Sequence, residues 1–238
     1  EVEEDTVPDY PVTVFVSKEG YLKKITAQSL RLSGEQKFKE GDSLAFSVET
    51  SNRADILVFT NSFQCYKSRL SDFEDGKASQ LGDYLPQKLG MDEGEAPIFM
   101  LLPGDFSGNL IYVFENGKVA KVELSSFATK SNRKKLTGAY YDKVPLVAAF
   151  HTTPDAEIAL YTQSRILILN TAQLQAKTTR ATQGVAVMTL KKNQQIIRAS
   201  LLSEAGIENV ARYRTRTIPA AGALIKEEDA PDKQMSLL

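Results

Sequence analysis

The chain has 238 residues, 42% of them hydrophobic, with 29 Lys and Arg set against 30 Asp and Glu, one cysteine and one histidine. That length fits one large all-β domain or two small ones, while the single Cys65 and single His151 exclude an internal disulfide and argue against Cys-rich zinc sites, His-paired metal sites and Cys–His chemistry. No apolar run approaches the ~20 residues of a membrane helix, and the acidic N-terminus does not read as a signal peptide, so no membrane attachment and a reducing, cytoplasmic setting are expected.

In chain order, residues 1–10 carry five acids and no base and read as an acidic linker. Four segments then repeat one pattern: an alternating β-rich run, a short polar turn, a second run carrying bases, and a Ser/Thr element ending in an apolar residue. The first covers Val12 to Ile25, followed by Thr26–Leu30. The second covers Ile56 to Lys67, followed by Leu70–Phe73. The third covers Leu110 to Val122, followed by Leu124–Phe127. The fourth covers Ile158 to Leu169, followed by Thr171–Leu174. The aromatic residue before each turn falls at Phe15, Phe59, Phe114 and Tyr161, at spacings of 44, 55 and 47 residues. Periods in the forties with strands in every unit indicate a propeller-like array of blades.

The turns differ. Glu19-Gly20 and Asn116-Gly117 put glycine where a tight hairpin needs positive φ, whereas Asn61-Ser62 and Gln163-Ser164 predict looser connections. Further strands are predicted at Ser43–Val48, Ala96–Leu102 and Pro145–Phe150. A fifth, degenerate unit is predicted from Gly184–Leu190, Ile196–Leu201 and a strand over Val210–Ile218. Helix signals are nearly absent, with one short turn at Ser203–Glu208. The expected fold is thus an all-β disc of about five blades over residues 11–225, followed by an acidic, flexible tail at 226–238. A β-sandwich is the alternative, but it leaves the recurring hairpin and Ser/Thr element unexplained.

The near-neutral net charge hides opposed parts. Residues 11–115 hold 11 bases and 15 acids, whereas 116–225 hold 16 bases and only 6 acids. Such asymmetry points to a polyanion-binding face; the competing reading is a solvated surface with scattered lysines. The bases recur at equivalent places: Lys23 and Lys24, Lys67 and Arg69, and Lys118 and Lys121 lie on or just after the second strand of a hairpin. In the fourth unit Arg165 begins that strand, and Lys177 and Arg180 follow it. Arg133, Lys134 and Lys135 form a basic loop. Arg212, Arg214 and Arg216 would share one face of a strand. Aligned on one rim, these fifteen residues could track a phosphate backbone and bend it without reading bases.

No catalytic constellation is present in the sequence. His151 closes an apolar strand before a Thr-Thr-Pro turn and reads as structural, and Cys65 reads as a packed strand residue with no base beside it. The Glu227–Asp229 run reads as exposed tail rather than an acid/base pair.

The stretch Ser17-Lys-Glu-Gly-Tyr-Leu-Lys-Lys24 resembles the first blade of the C-terminal domain of bacterial type IIA topoisomerase A subunits. Leu57–Asn61 is similar to that family's blade strand and turn, and Lys77–Leu85 and Arg180–Val187 to its inter-blade linkers. The resemblance covers residues 6–218. It implies a β-pinwheel, whose blades exchange strands, and duplex DNA wrapped on a basic rim. It also implies a larger parent enzyme of the DNA gyrase and topoisomerase IV type, located with the bacterial nucleoid. The catalytic tyrosine, the metal-binding carboxylates and the ATP site, with ATP and Mg, would then lie outside this chain. They would belong to the rest of the parent's A polypeptide or to the ATPase B polypeptide, and no cofactor is expected here. One departure matters: the loop Arg31–Glu40 lacks the Gln/Arg/Gly/Lys-rich box of gyrase A subunits. That favours topoisomerase IV-like bending for decatenation and relaxation over chiral wrapping for negative supercoiling. A propeller-type protein-interaction module remains a third reading.

Overall fold

The computed structural model describes residues 6–129 and 134–231. The described residues fold as two compact units: residues 6–105 with 134–139, and residues 106–129 with 140–231.

Unit 1 holds two four-stranded sheets. Sheet A runs β3-β1-β2-β6, from β1 (Pro11–Ser17), β2 (Tyr21–Thr26), β3 (Leu44–Ser51) and β6 (Asp83–Tyr84). Sheet B runs β10-β5-β4-β7, from β4 (Asp55–Thr60), β5 (Cys65–Arg69), β7 (Pro97–Leu101) and β10 (Lys135–Leu136). Unit 2 repeats the plan. Sheet C runs β11-β8-β9-β14, from β8 (Asn109–Phe114), β9 (Lys118–Glu123), β11 (Leu146–Thr152) and β14 (Val185–Ala186). Sheet D runs β15-β12-β13-β16, from β12 (Glu157–Tyr161), β13 (Arg165–Asn170), β15 (Arg198–Leu201) and β16 (Ala223–Leu224). Every pairing within these sheets is antiparallel.

Each sheet therefore consists of a hairpin, the strand after it, and a two-residue outer strand supplied from further along the chain. The hairpins fall where the sequence repeat places them. The Ser/Thr elements form a six-residue helix α1 (Ala27–Leu32), capped by the Thr26 side chain, and 3-10 turns at Leu70–Asp72, Leu124–Phe127 and Thr171–Gln173. The predicted linker segments turn out to carry the outer strands β6 and β14.

The alternating strands bury one face and the continuous apolar ones bury both. β1 alternates, with Val12, Val14 and Val16 buried, whereas β4, β8 and β12 are buried along almost their whole length. In unit 1 these valines pack with Leu22 against Ile56, Val58 and Tyr66 of sheet B and against Leu70 and Phe73 of the 3-10 turn after it. In unit 2, Ile111, Val113 and Val119 pack against Ile158, Leu160, Leu167 and Leu169 of sheet D. Burying a Val or Leu side chain is worth about 1.5–3 kcal/mol, so these interfaces hold each sheet pair together.

The fifth unit does not form a sheet of its own; four sheets are present among the described residues. Its first two strands become β14 and β15, members of sheets C and D. The run expected to be a strand at 210–218 begins instead as a helical turn, α4 (Val210–Tyr213), which follows a similar turn, α3 (Leu202–Ala205). Ala205 and Tyr213 cover Ala159, Tyr161, Ile166 and Ile168 on the second face of sheet D. The physical reason is the sequence of the segment: Ala205, Val210 and Tyr213 supply an apolar helical stripe, and Gly206 ends α3 in the left-handed conformation.

The start of the acidic tail is also packed. Asp229 is completely buried, accepting hydrogen bonds from Tyr213 Oη at 2.7 Å, Asn209 Nδ2 at 2.8 Å and the Glu208 backbone N–H at 2.7 Å. Burial opposes its ionisation, but these donors outweigh it and hold the carboxyl below the usual carboxylate range. The end of the N-terminal segment is likewise fixed: Arg53 Nε donates to Val7 O at 2.8 Å and Asn52 Nδ2 to Pro8 O at 3.0 Å.

Candidate nucleic-acid interface

Three of the fifteen candidate bases are not on the surface. Lys23, Lys24 and Lys121 are only 4%, 2% and 7% exposed. A buried ammonium must find acceptors, and these do. Lys24 Nζ donates to Asn52 Oδ1 at 2.6 Å and to Leu70 O at 3.0 Å, with Asp75 Oδ1 3.3 Å away. Lys121 Nζ donates to Asp155 Oδ1 at 2.8 Å, Thr171 O at 3.0 Å and Leu174 O at 3.2 Å. Lys23 Nζ donates to Lys37 O and Ala78 O, both at 3.0 Å, and burial pulls its pKa down. With their donors committed to internal carbonyls, these three have no place on an exposed binding face.

Lys24 and Lys121 occupy the same register of their hairpins, opposite Val14 and Ile111 respectively. Each reaches from the second strand of one sheet to the 3-10 turn that closes the next hairpin, and to the loop that precedes that hairpin. They are clasps joining sheet A to B and sheet C to D. The backbone repeats the link: Gly76 N–H donates to Lys24 O, and Lys177 N–H donates to Lys121 O, both at 2.8 Å. The partners Asn52, Asp75 and Asp155 were invisible as a set in the sequence, because they lie 28, 51 and 34 residues from their lysines.

The remaining candidates divide between tied and exposed. Lys67 lies 3.8 Å from Asp55, and Lys118 Nζ lies 3.5 Å from Gln183 Oε1. Arg165 donates to Gly222 O and Arg180 to Ser126 O, each at 3.0 Å. Lys135 lies over the Tyr66 ring, 3.9 Å from Asp92. Arg69, Lys134, Lys177, Arg212, Arg214 and Arg216 are exposed. Arg133 lies outside the described residues.

Arg212, Arg214 and Arg216 do not share a strand face. Arg212 sits in α4 and donates to Leu224 O at 3.0 Å, while Arg214 forms a bidentate pair with Glu157 at 2.8 and 2.9 Å that raises the guanidinium pKa further. The charge asymmetry also shrinks when counted by unit. Residues 134–139 belong to unit 1 and the acids at 227–229 to unit 2. Among the described residues unit 1 then holds 13 bases and 15 acids, and unit 2 holds 13 and 10.

Elsewhere the polar side chains serve the fold. His151 Nε2 lies 3.2 Å from Ser107 O and 3.1 Å from Thr153 Oγ1, and Cys65 is buried. Burial and the adjacent Glu95 carboxylate push the Tyr66 phenol well above its ordinary pKa, so it stays a hydrogen-bond donor. Among the described residues no group of three or more His, Cys, Asp or Glu could hold a metal ion, and no helix is long and apolar enough to cross a membrane.

No family model matches the chain. Individual relatives do. The A polypeptide of DNA topoisomerase 4 from Staphylococcus aureus is 26% identical over 204 residues, covering 83% of this chain and 25% of the relative. The crystal structure of a C-terminal domain of DNA topoisomerase IV superposes with a TM-score of 0.73 at 25% identity, over 84% of this chain and 64% of that one. A DNA gyrase A C-terminal domain superposes with a TM-score of 0.58 at 15% identity, over 92% of this chain and 80% of that one, a likeness of fold.

Four small antiparallel sheets, each completed by a short strand from later in the chain, define a β-pinwheel domain. Within that class, the chain is similar in sequence and in fold to the A polypeptide of DNA topoisomerase 4 and to a topoisomerase IV C-terminal domain. The chain spans about a quarter of the length of the curated relatives it matches.

Proposed function

We propose that this chain is the duplex-DNA-binding and DNA-bending module of a topoisomerase IV-type A subunit, non-catalytic in itself. The observation that carries the reading is the shared fold and sequence with a topoisomerase IV C-terminal domain over most of the chain. The parent enzyme would pass one duplex through another, using the remainder of its A polypeptide for strand cleavage and an ATPase B polypeptide for energy. Its action on chromosomal DNA implies a cytoplasmic, nucleoid-associated location.

The exposed bases would contact phosphates rather than base edges, so binding should be independent of sequence and steeply dependent on salt. Neutralising ~6 phosphates gives a slope of log affinity against log salt near −5. Gel-shift titrations over a range of salt concentrations test this, and a failure to bind duplex even at low salt would sink it.

Topoisomerase IV-type bending is preferred over gyrase-type wrapping on two grounds. The loop Arg31–Glu40 lacks a gyrase-like basic box. Its Lys37 is also pinned to the body, donating its backbone N–H to Ala78 O while its carbonyl accepts from Lys23. Nicked circles ligated with and without the domain discriminate the two. An unchanged linking number supports bending, and a consistent shift of one sign supports chiral wrapping.

A further inference from the structure

The two units carry matching clefts at the same end of their second hairpin. In unit 1 a cleft of about 290 Å³ is lined by Val7, Arg53, Asp55, Arg69 and Ser71. In unit 2 a cleft of about 320 Å³ has Glu157, Asn170, Arg214, Thr215 and Arg216 in its wall. The correspondence extends to register: Asp55 pairs with Arg69 on the last rung of sheet B, and Glu157 pairs with Asn170 on the last rung of sheet D.

Each cleft combines an acid, an arginine held to the wall and an exposed arginine. Arg69 lies on the last rung itself, whereas Asn170 holds that place in unit 2 and Arg216 comes from a later segment. In each cleft the acid is covered by a base, Asp55 by Lys67 at 3.8 Å and Glu157 by Arg214 at 2.8 and 2.9 Å. One arginine is fixed to the wall: Arg53 through Val7 O, and Arg214 through Glu157. A second arginine, Arg69 or Arg216, is exposed and makes no ion pair among the described residues.

We propose that these clefts are oxyanion sites, one per unit, in which the wall arginine pre-sets the cavity and Arg69 or Arg216 closes a charge-assisted, forked contact on a phosphate. The inference rests on the DNA-binding reading and specifies it: the occupant is a backbone phosphodiester, and inorganic phosphate shares the chemistry. Two contacts of this kind would fix the register and orientation of a duplex without reading its bases.

The test uses the whole 238-residue chain. Arg69→Ala and Arg216→Ala should each weaken duplex binding several-fold and lower the salt slope by about 1, and the double variant by about 2. Arg69→Lys should restore the slope but not the full affinity, because a lysine keeps the charge and loses the fork. Lys143→Ala, at an exposed base outside both clefts, is the comparison. If it lowers the slope as much as Arg69→Ala, the clefts have no special role and the proposal falls.

A second arm titrates inorganic phosphate while following the arginine Nε–Hε signals by NMR. Phosphate should shift those of Arg69 and Arg216 selectively, and duplex DNA should displace it. Selective shifts without any duplex binding would overturn the DNA reading but leave the clefts as sites for free phosphate. An absence of selective shifts together with unchanged DNA slopes would overturn the clefts but leave general DNA binding standing.

Discussion

Unit 1 and unit 2 solve the same joining problem with the same lysine and different counter-charges. In unit 1 the Lys24 ammonium sits between a neutral amide, Asn52, and a half-exposed acid, Asp75. In unit 2 the Lys121 ammonium sits directly on Asp155, at 2.8 Å. What the two share is the backbone: carbonyls of the 3-10 turn after the next hairpin, Leu70 in one case and Thr171 with Leu174 in the other. The site is therefore set by the carbonyls of the 3-10 turn, and the side-chain acceptor differs between the units. A second pair makes the same point. Glu95 accepts from Thr60 and Tyr66 in unit 1, whereas Gln194 accepts from Thr162 and Ser164 at the equivalent place in unit 2.

The largest effect should come from removing a clasp. Lys24→Met or Lys121→Met takes a buried donor away from Asn52 Oδ1 and Leu70 O in the first case, and from Asp155, Thr171 O and Leu174 O in the second, at a cost of about 2–4 kcal/mol. That corresponds to a fall of roughly 5–15 °C in melting temperature for a chain of this size. Hydrogen exchange should speed up in sheets A and B for the first variant and in sheets C and D for the second. Equal loss across all four sheets in either variant would break the comparison.

Glycine substitutions should cost somewhat less. Gly82, Gly184 and Gly222 each precede an outer strand at positive φ, and each lies against the second strand of a hairpin. An added Cβ would collide with Leu22 O at Gly82 and would sit 2.6 Å from Val119 O at Gly184. Gly82→Ala and Gly184→Ala should each destabilise by about 1–3 kcal/mol. The loss of amide protection should centre on β6 and β14 respectively; unaltered protection there would show that the outer strands do not depend on this close approach.

Acid titration acts on unit 2 through two carboxyls that its internal hydrogen bonds hold low. The Lys121 ammonium, and then the Thr171 hydroxyl, hold the Asp155 carboxyl below its ordinary value, against the opposing effect of burial, and Asp229 is held low as well. A carboxyl with a depressed folded-state pKa stabilises above its unfolded value, and that stabilisation drains as pH falls through the folded value. Unit 2 should therefore lose exchange protection as pH drops below about 4, and Asp229→Asn should flatten that acid limb. If the wild type and Asp229→Asn show identical acid limbs, the C-terminal lock contributes nothing to it.

Asp155→Asn should have the smallest effect of the series, less than about 1 kcal/mol near neutral pH, because Asn52 already serves in the equivalent place. A cost equal to that of Lys121→Met would show that the counter-charge, and not the carbonyls, fixes the ammonium.

The repeat was legible because hairpins are local: apolar alternation, Gly20 and Gly117 in tight turns, and Thr26 at a helix cap are each decided within a few residues. The strand linkers could be placed but not understood, since nothing in Gly82-Asp-Tyr84 or Gly184-Val-Ala186 shows which hairpin the short strand will join. The bases were harder. Lys23, Lys24 and Lys121 look like Lys67 and Lys118 in sequence, because a strand carrying Lys gives no sign of whether its ammonium meets water or a distant carbonyl. The alternation of Arg212, Arg214 and Arg216 misled for a related reason: α4 forms there because Tyr213 finds the open face of sheet D and the carboxylate of Asp229.

The sequence alone determined the all-β class, the four hairpins and their order, and the likeness to topoisomerase A polypeptides, all of which rest on patterns short enough to be written in consecutive residues. Tertiary structure alone decided how many sheets those hairpins make, which lysines are buried clasps and which arginines share a cleft. These depend on partners brought together across 16 to 71 residues of chain, and the free energy of burying a charge is settled only where its hydrogen-bond acceptors finally lie.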